Sequence, residues 1–341
     1  MTASAYRKPQ AVVRNIGNKT LVGAGEIRIP LNKDNLTTEH MINVLFTQVF
    51  AIAPTAMGDL SQVIKSVVIE SDKGPLVNSD GMSMVALSSL TEKQPNQRKV
   101  VGLNSSGNLF FDVHYENDGA VQDLLTALET GGFSGLDLVI TLVDPFVAGV
   151  YTGGGTPSAL NFNVRVNAKT LPELTGIGAV DAFDSTDPQT GEAIVEANQY
   201  AGVGTAFHRV GTQVIRGVTT GDQQPVRLQA KAALVRFLQM LSLDTTGANP
   251  AVSDNIIEDA RLVVNGNQVF HASFSEIQAA NESRRNVNRL NSGIGVIDFG
   301  DDETGFLDMP EGNEALLYLR IASSAPTGWE VRMTEDYTTE S

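Results

Sequence analysis

The chain has 341 residues, more than a single hydrophobic core usually organises, so two domains are expected. Hydrophobic content of 42% with 18% charged residues is that of a well-packed protein, and no apolar run approaches the roughly 20 residues that a bilayer-spanning helix needs. A net charge of −15 argues against nucleic-acid binding through the general surface, and the absence of cysteine excludes disulfides and thiolate metal sites.

The charge is uneven along the chain. Residues 1–20 carry Arg7, Lys8, Arg14 and Lys19 and no acid, leaving 20 basic against 39 acidic residues for the rest. This is either a basic arm that reaches toward anionic lipid, nucleic acid or an acidic neighbour, or a solubilising terminus. The opening MTASAYRKPQ lacks the apolar segment of a secretory leader, so assembly in the cytosol is expected.

From Gly23 to Leu31 the alternation of Ile27, Ile29 and Leu31 predicts a half-buried strand, and Pro30 places it near an edge. The continuous run MINVLFTQVFAI (41–52) is rich in β-branched and aromatic residues and predicts a central strand. Val63–Ser71 is the next strand. Ser79 or Asp80 can cap a short helix over 82–90, and Leu109–Tyr115 alternates as a strand. Residues 119–130 carry Val121, Leu124, Leu125 and Leu128 at helical spacing, which predicts a helix stopped by Gly131-Gly132. Leu136–Val143 and Leu160–Val166 are period-two strands that close a first unit near Thr170. The patternless stretch 171–204 is expected to be a linker or a surface excursion.

The remainder repeats the first part. Residues 257–283 follow the order of 63–90: a strand (Leu262, Val264 against Val67, Ile69), a turn with glycine (Gly266 against Gly74), a short apolar pair, then a helix. ALLYLRIASSAPTG and WEVRMTEDY likewise answer LDLVITLVDP and LNFNVRV. Composition alone favours a helix for 226–243, but the repeat makes this run the partner of 41–52 and hence a strand. Asn265-Gly266 signals a hairpin. Ser273–Arg284 is the second helix, with Phe274, Ile277 and Ala280 on one face. The fold class expected is all-β: two tandem eight-stranded antiparallel jelly-roll sandwiches with short helices in the crossings. Their boundaries are a basic arm 1–20, a first jelly roll 21–170, the segment 171–204, and a second jelly roll 205–341.

On these paired segments the chain resembles the double jelly-roll major capsid proteins of tailless, membrane-containing icosahedral bacteriophages and the adenovirus-like capsid lineage. The resemblance implies a viral coat protein and not an enzyme. It implies a homotrimer that forms pseudo-hexagonal tiles of an icosahedral shell, with neighbouring capsomers as partners. Vertex or minor capsid proteins, and an internal membrane met by the N-terminal arm, are further implied partners; specific nucleic-acid binding is not. The location implied is the virion capsid, assembled in the host cytoplasm. The alternative from the fold class is a carbohydrate- or receptor-binding β-sandwich.

Chemistry-bearing motifs are sparse. His40, His114, His208 and His271 are dispersed without metal-binding spacing, and His114 beside Asp112 reads as a solvated strand face. No cofactor is expected. Asp298, Asp301, Asp302 and Glu303 form a calcium candidate, as do Asp181, Asp184, Asp187 and Glu192, each against a reading of solvated loop acids. Arg284, Arg285 and Arg289 are a candidate contact for an acidic neighbour or simply a helix C-terminus. Trp329 is expected in the core or an interface.

Overall fold

The computed structural model describes residues 12–31, 36–91, 97–115, 127–155, 157–171, 185–186, 193–194, 206–231, 233–247, 249–285, 293–299, 307–309 and 311–340. The first unit has eight main strands: β1 (Val12–Val22), β2 (Gly25–Pro30), β3 (Leu36–Phe50), β4 (Ile64–Ser71), β5 (Gly74–Ser79), β6 (Asn104–His114), β7 (Leu136–Leu142) and β8 (Pro157–Leu171). Helix α1 (Gly81–Thr91) lies between β5 and β6. The strands form two facing orders, β1-β8-β3-β6 and β2-β7-β4-β5.

The second unit contains β9 (Ala206–Gly217), β10 (Ala233–Asp244), β11 (Ile257–Val264), β12 (Asn267–Ser273), β13 (Ile294–Asp298), β14 (Ala315–Ile321) and β15 (Trp329–Glu340), with α2 (Phe274–Arg285) between β12 and β13. Their orders are β9-β15-β10-β13 and, after the short pieces Gly221–Asp222 and Val226–Arg227, β14-β11-β12. Counting those two pieces as one interrupted strand, the second unit repeats the first position by position. Both are jelly rolls.

Local chemistry explains the elements. In β7, Leu136, Leu138, Ile140 and Leu142 are buried and alternate with more accessible residues, as a pleated strand over a core requires. Pro30 ends β2, the last strand of its sheet, where its missing N–H costs no ladder bond. Asn265 (φ 49°) and Gly266 (φ 79°) adopt the left-handed backbone of a two-residue hairpin between β11 and β12. The Asp80 carboxylate accepts from the N–H groups of Met82 and Ser83 at 3.0 and 3.1 Å and caps α1. At α2, Ser273 and Glu276 form a reciprocal capping box, side chain to backbone in both directions at 3.3 and 2.8 Å.

The run 226–243 is resolved by its surroundings. It holds Val226–Arg227 and β10, and β10 is buried on both faces. Val235, Leu238 and Met240 enter the second unit's core beside Trp329, Leu262 and Leu317, while Phe237, Leu241 and Leu243 join the first unit's. A bulge between Val235 and Phe237 switches the parity of the strand. A strand buried on two faces has no polar alternation, which is why its composition imitates a helix.

Two expectations are corrected here. The helix over 119–130 does not reach its predicted end: Leu128–Glu129 is a short strand on β3, followed by a 3-10 turn over Thr130–Gly132. Pairing with Leu36 and Thr37 satisfies that backbone and overrides helical spacing; residues 116–126 lie outside the described set. The second half of the stretch read as an arm is β1, which pairs with β8 from Val12↔Thr170 to Val22↔Asn161 and so covers that strand's free edge. Of the segment 171–204, a two-residue pairing of Ser185–Thr186 with Ala193–Ile194 is described beyond the end of β8.

The units are joined by the one parallel pairing among the described strands, Val77↔Val210 and Asn78↔Gly211, which merges β2-β7-β4-β5 and β9-β15-β10 into a single sheet. Ionic contacts reinforce the seam. Arg332 on β15 donates to the α1 cap Asp80 and to Glu330, and Arg216 donates to the other Glu330 oxygen at 2.6 Å. The Glu330 side chain is buried. Replacing Arg332 with Met leaves Asp80 and Glu330 without their shared cation, and a loss of about 3 kcal/mol is expected. Urea denaturation measures it; a loss below about 1 kcal/mol would mean that the pair behaves as a solvated surface bridge.

Candidate functional site

Three of the four histidines, dispersed in sequence, meet at the seam. Backbone register does this. β3 and β6 pair with Glu39 opposite His114 and His40 opposite Val113, so Glu39, His114 and Asp112 share one sheet face while His40 points to the other. The ligand atoms of Glu39, Asp112 and His114 all lie within 4.8 Å of one another. From the second unit, β9 brings His208, β10 brings Arg236 and Phe237, and β15 brings Asp336. With Leu87, Val113 and Val210, these residues and the Asp112–His114 end of β6 line a small cavity of about 10 Å³, room for about one water-sized group.

His208 Nε2 lies 2.7 Å from an Asp336 oxygen, with both side chains buried. Burial alone would raise the Asp336 carboxyl; His208 and Arg236 outweigh it and hold the group below the usual carboxylate range. The other ring nitrogen of His208, Nδ1, has no hydrogen-bond partner among the described residues. Tyr115 links the histidines: its hydroxyl is 2.9 Å from His40 Nδ1, and its ring meets the rings of His40 and His208 edge-on at 5.4 and 5.9 Å. Burial pushes Tyr115 up and His40 down to about 4, so at neutral pH both are uncharged and share one hydrogen bond whose direction follows the His40 tautomer. Next to Asp336, the buried Glu335 accepts from the N–H groups of Gln229 and Ala230 and from Gln213. Burial raises its carboxyl against those bonds.

Asp112 and His114, read from sequence as a solvated strand face, instead line the seam cavity, with Asp112 buried, whereas the charged candidates are elsewhere or outside the described residues. Arg14 and Lys19 are exposed on β1, where Lys19 donates to the Arg28 carbonyl at 2.9 Å. Arg284 and Arg285 end α2. Asp298 closes β13, half-buried. Arg7, Lys8, Arg289, Asp301, Asp302, Glu303, Asp181, Asp184, Asp187 and Glu192 lie outside the described residues. His271 stands apart on β12, exposed, 3.5 Å from Asp259. Trp329 is in the second core, its indole N–H donating to the Thr219 carbonyl at 3.0 Å. The seam cluster was missed because its members come from five strands. Two adjacent carboxylates within a buried strand, Glu335 and Asp336, were the available sign.

Strand order, the seam and the repeat can be set beside known proteins. The coat protein of Sulfolobus turreted icosahedral virus (the STIV MCP) superposes with a TM-score of 0.67 at 12% identity, covering 96% of each chain. The major capsid protein P2 of bacteriophage PM2 gives 0.56 at 11%, over 97% of this chain and 98% of that one. The PBCV-1 virus capsid gives 0.57 at 11%, over 98% and 96%. The fold is that of the double jelly-roll major capsid proteins. No protein-family model and no curated protein matches the sequence. The likeness therefore lives in three dimensions: at 11–12% identity the double jelly roll is kept while nearly every side chain differs.

The seam predicts an acid response. His40 moves from an ordinary value of 6.5 to about 4, so the folded protein binds fewer protons there than the unfolded chain. Its contribution, about 3 kcal/mol, is complete above the unfolded value and is lost as pH falls through the folded one. A His40→Asn variant is expected to have a lower Tm at neutral pH and a shallower fall between pH 6.5 and pH 4 than the unaltered protein. Equal slopes in the two proteins would remove His40 as an acid-sensitive group.

Proposed function

We propose that the protein is a viral major capsid protein: a homotrimer whose six jelly rolls make a pseudo-hexagonal tile in an icosahedral shell. One observation carries this reading. Both units have the same strand order, and the pair aligns over nearly the full length of solved coat proteins from three viruses. The sheet that runs unbroken across the seam supports it, since a tile must resist bending between its halves. So do apolar side chains left exposed at one end of the β3–β6 pair, Ile52, Val100, Val101 and Leu103, which a neighbouring copy would cover. No catalytic step belongs to this reading. The virion is its location, with assembly in the host cytoplasm.

Neighbouring capsomers, vertex or minor capsid proteins and an internal membrane are the partners proposed. Arg7, Lys8, Arg14 and Lys19 would face the membrane, and Arg284, Arg285 and Arg289 an acidic neighbour. Many weak lateral contacts would then sum to a stable shell. Size-exclusion chromatography with light scattering tests the trimer. A species near three times 36.4 kDa is expected, whereas a strict monomer at all concentrations would overturn the reading.

A further inference from the structure

We propose that Glu39, Asp112 and His114 bind one divalent first-row metal ion of the Zn²⁺ type, at the seam between the two jelly rolls. This does not depend on the capsid reading. The ligand set is built by the sheet: Glu39 and His114 are cross-strand partners, and Asp112 is the same-face neighbour two residues before His114. Two carboxylate oxygens and one imidazole nitrogen within 4.8 Å of each other would share a single ion once side-chain rotation brings them to about 3.5 Å apart, the separation set by bonds of roughly 2.0–2.2 Å at tetrahedral angles. Asp112 and Glu39 are 5% and 8% exposed.

The Lys169 ammonium lies 3.9 Å from Glu39, and Arg236 is in the cavity wall. The imidazole favours Zn²⁺ or a similar first-row ion such as Ni²⁺ over Ca²⁺, which prefers six to eight oxygens.

An independent observation points to the same place. His208, 4% exposed, lines the cavity shared with Asp112 and His114, and its Nδ1 has no partner among the described residues. Its other nitrogen is held by Asp336, the carboxylate–histidine arrangement that orients imidazoles around metals. His208 is not within the 4.8 Å group, so it acts in the outer shell. A water on the fourth position of the ion would fit the one-water cavity that His208 lines. The ion would thus tie β3 and β6 of the first unit to β9 and β15 of the second.

The full-length protein, stripped with chelator, is titrated with Zn²⁺ alone in a calorimeter. One ion per chain is expected, with a higher Tm in the loaded protein. Asp112→Asn and His114→Gln should each weaken binding by at least about tenfold, while His271→Gln, at the exposed histidine, leaves it unchanged. No binding below about 1 mM, or equal binding in all four proteins, would overturn the site. A check that needs no variant is the anomalous signal of Zn²⁺ in crystals of the unaltered protein. A peak between β3 and β6 supports the proposal, and a peak only elsewhere, or none, rejects it.

Discussion

Everything in this molecule depends on one sheet having to serve two cores. The order β9-β15-β10-β13 packs Met240, Val331 and Met333 into the second unit, while the opposite face gives Phe207, Val210, Phe237, Leu241, Ile294 and Val296 to the first unit's cluster. Each large apolar side chain so buried contributes roughly 1.5–3 kcal/mol. The seam is therefore a core in its own right, and the parallel pairing of β5 with β9 sets its register.

That constraint explains where polar chemistry could survive. A two-faced sheet leaves few places for charge, and among the described residues the acids that β15 and α1 bring to the seam have an opposite or hydrogen-bonding partner: Asp80 and Glu330 with Arg332, Asp336 with His208, Glu335 with three N–H donors. A buried charge without a partner would cost several kcal/mol, more than one such sheet can spare.

Much of the architecture was legible because period-two alternation and turn glycines are local signals. Ile27 and Ile29, Leu138 and Ile140, and Phe162 and Val164 marked strands that exist, and the echo of 63–90 in 257–283 is the same strand–hairpin–helix in both units. Where locality failed, tertiary contact had decided. Leu128 belongs to a strand because β3 offers it a partner, and β10 looked helical because both its faces are dry. The seam cluster was invisible for the same reason. Glu39 and His114 are 75 residues apart, and only the β3–β6 register makes them neighbours. Residues chosen by charge density, such as Arg14 and Lys19, are on the surface, as density alone would place them.

The two jelly rolls are alike in topology but unequal in dependence. The outer face of β3 alternates into solvent at Leu45, Thr47 and Val49, so the first unit has its principal core between its own two sheets. The corresponding face in the second unit, along β10, is apolar and needs the first unit to cover it. During synthesis the self-sufficient half leaves the ribosome first, and domains generally fold as they emerge. The later half then meets a finished surface to condense on, so the direction of translation matches the direction of need. A gene with the two halves exchanged would encode the same pairings, yet it would release its stickiest sheet before anything existed to shield it.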